Sequence, residues 1–118
     1  MSREKEMAQL ACKAIDDKKG KDIKVIDIHE VSVIADYFVI ASASNQNQAQ
    51  AIVDNVEEQL GRAGFEAKQV EGTRNSSWVL MDYGDMIVHV FDEENRMFYD
   101  LERIWRDGKV LDMDEFLK

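Results

Sequence analysis

Near the N-terminus, Met7, Leu10, Ala11, Ala14 and Ile15 recur at spacings of three and four, which puts them on one helical face. Glu4, Lys5, Gln9 and Lys13 fall largely elsewhere, so the spacing predicts an amphipathic helix. It should end near Lys18, because Lys18 and Lys19 suit a helix C-terminus and Gly20 can take the left-handed residue that closes it. Ile23 to Ile28 is rich in β-branched residues and predicts a mostly buried strand. Ser32 to Ser42 predicts the next, and the unbroken apolar run from Tyr37 to Ala41 places it mid-sheet, covered on both faces.

After that strand Ser44 or Asn45 caps a second helix, with Gln48 three residues beyond Asn45 in a loose capping box. Its apolar face runs Ile52, Val53, Val56, Leu60 and Ala63, and Gly61 and Gly64 mark its end. Phe65 to Val70 predicts a third short strand, and its Glu66, Lys68 and Gln69 set it near an edge.

The stretch Ser77 to Phe91, SWVLMDYGDMIVHVF, predicts a hairpin. Trp78 to Met81 is one apolar run and Met86 to Phe91 is another, broken only by His89. Between them Asp82, Tyr83, Gly84 and Asp85 supply the turn: Gly84 tolerates a positive φ, and the aspartates can bond turn backbone. Asp92, Glu93 and Glu94 then cap a helix carrying Met97, Phe98, Leu101, Ile104 and Trp105 on one face and ending before Gly108. Residues 109–118 read as a tail whose Val110, Leu111, Phe116 and Leu117 pack back loosely. The order predicts a single α/β domain over residues 1–108 with a mixed sheet of about five strands and helices packed against it.

Charge sharpens this picture. The net charge of −9 divides as +2 over residues 1–24, −5 over 25–75 and −6 over 76–118. Proteins that grip phosphate backbones carry a basic face, so direct nucleic-acid binding is disfavoured; an acidic surface suits steering toward a basic partner, and from charge alone it equally suits keeping the protein in solution. No apolar run approaches the roughly 20 residues that span a bilayer, and the charged N-terminal stretch lacks a secretory signal core, which sets the expectation of a cytoplasmic protein. Cys12, the single cysteine, lies in the amphipathic N-terminal segment and reads as a packing residue over a reactive thiol.

Catalytic patterns fail one after another. No glycine loop opens a helix to cradle phosphate, no GxSxG places a nucleophile, and Cys12 has no local base. His89 lies within an apolar strand, where a core or partner-facing imidazole is the ordinary reading. Asp27 and His29 share a strand face, but two ligands without a third favour a hydrogen-bonded pair over a metal site. Asp82 and Asp85 flank a turn, and Asp112 and Asp114 lie in the tail. We expect no catalytic residue, no cofactor and no metal.

The chain resembles the Iojap, or ribosomal silencing factor, family over nearly its whole length. The residues that carry the likeness are Ile15 to Gly20 (IDDKKG) followed by Asp22 and Ile23, Ala35 to Ile40 (ADYFVI), Val70 to Gly72, the whole of Ser77 to Phe91, and Arg96 to Trp105 (RMFYDLERIW). The resemblance implies a non-catalytic factor that binds a basic protein of the large ribosomal subunit at the subunit interface and blocks joining of the small subunit, so repressing translation. It also implies a homodimer, and a fold like a reduced nucleotidyltransferase domain without the catalytic signature. A residual nucleotide-binding or nucleotidyltransferase-like enzyme is the alternative.

Under this reading the hairpin becomes the docking element. Trp78, Met81 and Tyr83 would supply apolar anchors, and Asp82 and Asp85 would pair with basic side chains of the partner. Strand alternation sets Trp78, Leu80 and Asp82 on one face and Val79, Met81 and Tyr83 on the other, which favours Trp78, Asp82 and Asp85 as contacts, with packing of Trp78 in the core beneath a helix as the alternative. Tyr99, Leu101 and Glu102 form a secondary candidate surface.

Overall fold

A computed structural model describes residues 3–29, 35–72, 78–92, 109–111 and 116. Helix α1 (Arg3–Asp17) leads into β1 (Lys21–Asp27), β2 (Tyr37–Ala43) and α2 (Gln46–Arg62). Then follow β3 (Gln69–Glu71), β4 (Trp78–Asp82), β5 (Met86–Asp92) and β6 (Lys109–Val110). The helix expected over 97–105, with Tyr99, Leu101 and Glu102, lies outside the described residues.

The strands form one mixed sheet in the order β3-β4-β5-β2-β1-β6. β2 and β5 run parallel at its centre, paired from Tyr37 opposite Met86 to Ala43 opposite Asp92. All other pairings are antiparallel. The central position explains why these two strands are apolar without alternation: both of their faces are buried.

One face of the sheet meets both helices. Val25, Val39, Ala41, Val79, Met81, Met86, Val88 and Val90 pack there with Ala11, Cys12 and Ile15 of α1 and Ile52, Val56 and Leu60 of α2. The helices are tied to each other by polar contacts as well. Buried Asn55 donates through Nδ2 to the Ala14 carbonyl at 2.8 Å, satisfying a group that would otherwise be stranded. Asn45 caps α2 by accepting from the Gln48 amide at 2.8 Å. Gln48 accepts in return from Ser44 N–H, and its Nε2 donates to the carbonyls of Lys18 and Lys19 at 3.1 and 2.9 Å. One glutamine thus caps the start of α2 and holds the end of α1.

The other face carries Ile26, Ile28, Ala35, Phe38, Ile40, Ile87 and Phe91 as a second buried cluster, with Trp78 and Leu80 packed partly against it.

Three expectations change. Lys19, at φ 62°, takes the left-handed position after α1. Gly20 is needed for space instead: a Cβ there would run into Ile15 Cγ2. The strand expected over Phe65 to Val70 shortens to Gln69–Glu71, because Phe65 closes α2, bonding Leu60 O through its amide at 2.9 Å and burying its ring in the core. The stretch from residue 109 adds an edge strand: Val110 pairs with Ile26, Leu111 N–H bonds Val25 O at 2.9 Å, and Phe116 is buried in the helix-side core.

Candidate functional site: the β4–β5 hairpin

Between β4 and β5 the chain turns through Tyr83, Gly84 and Asp85. Gly84 takes φ +88°, and Asp82 Oδ1 accepts its amide at 2.7 Å, so this carboxylate shapes the turn. Tyr83 N–H closes the hairpin on Met86 O at 2.9 Å. The Asp85 carbonyl accepts from Asp36 N–H at 2.8 Å and Tyr37 N–H at 3.1 Å, which fastens the turn to the start of β2. The tip is therefore a braced corner of the sheet, with the Asp85 side chain exposed beyond it. Lys68 lies across the turn, its Nζ about where a Gly84 side chain would approach.

Burial along β4 alternates strictly: Trp78, Leu80 and Asp82 are half-buried, while Val79 and Met81 are buried. The first three share the face away from α1 and α2. Met81, 0% exposed, and Tyr83, 6% exposed, lie in the helix-side core. Burial, and secondarily Glu57, pushes the Tyr83 hydroxyl up to about 12, so it stays protonated. Of the residues the sequence singles out, the structure brings Trp78 and Asp82 onto one face, sets Asp85 at the tip beside them, and places Met81 and Tyr83 behind.

Trp78 is held from two sides. Its ring stacks on Phe91 at 5.3 Å and 26°, the residue directly across the ladder, and its Nε1–H donates to His89 Nδ1 at 3.0 Å. His89 meets Phe38 edge-on at 4.7 Å. Burial drives the His89 pKa down to about 4, so the imidazole is neutral at physiological pH. Leu80 stands between Trp78 and Asp82 on the same face, where strand alternation sets it, and joins them as a surface residue that the choice of contacts from sequence left out.

Elsewhere, Asp27 and His29 form the expected pair, with Oδ1 and Nδ1 2.5 Å apart, at the mouth of a cleft of about 200 Å³ lined also by Asp36 and Tyr37. Among the described residues no three His, Cys, Asp or Glu side chains gather as a metal site, and no helix is long and apolar enough to cross a membrane.

The profile of the family described as "ribosomal silencing factor during starvation" matches residues 1–118. The chain belongs to the ribosomal silencing factor family. The ribosomal silencing factor of Bacillus subtilis is 38% identical over 111 residues, covering 94% of each chain. The chloroplastic Iojap protein of Zea mays is 29% identical over 86% of this chain and 44% of its own length. Among solved structures, a Chromobacterium violaceum protein superposes with a TM-score of 0.84 at 33% identity, covering 89% of this chain and 88% of that one. A Bacillus halodurans protein does so at 0.80 and 34% identity, covering 91% and 97%. The relatives in the ribosomal silencing factor family are named for regulation of the ribosome and not for a reaction.

Proposed function

We propose that this silencing factor docks through the outer face of β4 and the turn beside it on a basic protein of the large ribosomal subunit, at the surface where the small subunit joins. The bound factor then represses translation by occupying space, with no bond made or broken, and without cofactor or metal. The observation that carries this reading is the composition of one surface: Trp78 and Leu80 stand half-exposed on a braced strand, with Asp82 on the same face and exposed Asp85 at its end. Apolar anchors with two carboxylates at their turn end suit a basic protein. The net charge of −9 opposes docking on ribosomal RNA phosphates. Met81 and Tyr83 serve this surface from behind, holding β4 against the helices. The protein acts in the cytoplasm and forms homodimers.

Co-sedimentation with purified large subunits tests the surface. Trp78→Ala and Asp85→Lys should each lose binding while keeping the circular dichroism of the parent protein. Wild-type binding by both variants would refute this surface.

A further inference from the structure

At the end of the sheet where β1 finishes and β2 begins, Asp27 lies directly opposite Tyr37. Directly opposed residues share a face, so the two stand together and, with His29 and Asp36, line the cleft of about 200 Å³. His29 is held against Asp27 twice, through its amide N–H at 3.1 Å and its ring Nδ1 at 2.5 Å. Both contacts use Oδ1 and leave Oδ2 out of the pair. An Nδ1 that faces a carboxylate carries a proton, so a neutral His29 keeps Nε2 as an acceptor. The cleft thus joins two carboxylates, an imidazole and a phenol ring, and among the described residues no lysine or arginine lines it.

Backbone bonds tie this cleft to the hairpin. The Asp85 carbonyl accepts from the Asp36 and Tyr37 amides at 2.8 and 3.1 Å, which sets the turn and the cleft wall at a fixed spacing. Exposed Asp85 therefore stands beside the cleft at the same end of the sheet.

Size and donor spacing decide what fits. Small-molecule sites usually enclose about 300–1,000 Å³, so this cleft has room for one side chain and not for a nucleotide. A metal ion needs its donors gathered within about 2–2.6 Å of one point, and the carboxylates and imidazole do not converge that way among the described residues. A guanidinium makes no such demand. Its five N–H donors spread over a plane and reach acceptors on several sides, and the flat group stacks on an aromatic ring. An ammonium is a compact point charge that neither forks nor stacks.

We propose that the cleft receives one arginine side chain of the basic protein on which the hairpin docks. The guanidinium bonds Asp27 and Asp36 and lies against the Tyr37 ring, while His29 holds the Asp27 carboxylate in place. The inference rests on the docking reading above and gives it a second, specific contact. Trp78 and Leu80 supply apolar area on the outer face, and the cleft at the end of the sheet selects arginine over lysine. Contacts on both sides of the turn fix the angle at which the factor sits on its partner, which a single flat patch does not.

Two measurements separate the cleft from the hairpin surface. In the free protein, titration with Nα-acetyl-arginine amide should give saturable, millimolar shifts of the Asp36 and Tyr37 amide resonances, and the lysine analogue should bind several-fold more weakly. Asp27→Asn and Asp36→Asn should each weaken the arginine response. With purified large subunits, each variant, folded by circular dichroism, should co-sediment about tenfold more weakly than wild type, the effect of losing one charge-assisted bond. Equal, unsaturable responses to arginine and lysine would reduce the cleft to bulk charge attraction and overturn it as a site. Wild-type binding of large subunits by Asp27→Asn and Asp36→Asn, with binding lost in Trp78→Ala, would overturn the cleft contact and leave the hairpin surface standing. Arginine binding in the cleft of a wild-type protein that does not sediment with large subunits would overturn the docking reading, and with it the partner named for the cleft.

Discussion

The indole Nε1–H of Trp78 donates to His89 Nδ1 at 3.0 Å, and this bond fixes the state of both rings. An Nδ1 that accepts carries no proton, so the neutral imidazole holds its proton on Nε2. That Nε2 is buried without a hydrogen-bond partner among the described residues. The histidine spends a polar group to orient the tryptophan, and it does so only while uncharged.

Stability should therefore fall in acid through His89. Unfolded, the imidazole takes a proton near pH 6.5, and folded only near pH 4. The unfolded state binds the extra proton between these values, so the stabilisation is complete above pH 6.5, declines as pH falls, and levels off below about 4. From pH 7 to pH 5 this group should remove about 2 kcal/mol. His89→Leu should reduce the difference between urea unfolding at the two pH values by that order. An unchanged pH dependence in the variant would mean that other groups carry it.

Trp78→Phe keeps a ring to stack on Phe91 but deletes the donor to His89. A buried acceptor left unpaired costs about 1–3 kcal/mol, and urea unfolding should show a loss of that size. Trp78→Phe combined with His89→Leu should cost less than the sum of the single changes, because the second removes the group that the first strands.

Two glycines should respond in opposite senses to alanine. Gly20→Ala drives a methyl into Ile15 Cγ2 and should destabilise by about 1–3 kcal/mol. Gly61→Ala, in α2 with nothing within 4 Å of the added carbon, should stabilise by about 0.5–1 kcal/mol. Thermal unfolding of the two variants checks the contrast.

Cys12 is fully buried, and burial raises its thiol to about 12. A thiol-disulfide reagent should leave it untouched in the folded protein and titrate it fully in denaturant. Rapid labelling of native protein would contradict its placement between helix and sheet.

The elements most legible in the sequence are those whose burial is simplest. The amphipathic faces of α1 and α2 and the unbroken apolar runs of β2 and β5 announce themselves, and the alternation from Trp78 to Asp82 sorts the hairpin correctly. Parallel pairing of β2 with β5 does not, since a buried strand reads alike in either direction. Gln48 looked like a local cap, and its grip on Lys18 and Lys19 is a tertiary contact that no short window contains. Lys19 took the position expected of Gly20 because the glycine was needed one residue on, where Ile15 leaves no room. At the candidate site, residue types gave Trp78, Asp82 and Asp85, whereas the bond to His89 depends on ladder register and on which face each strand turns.

The most direct measurement is the rate of subunit joining, followed by light scattering after mixing purified large and small subunits with and without the protein. Wild-type protein preincubated with large subunits should suppress joining, and the Trp78→Ala, Asp85→Lys double variant, folded by circular dichroism, should restore it. Suppression by the double variant equal to wild type, or no suppression by wild type at saturating concentration, would contradict the docking account.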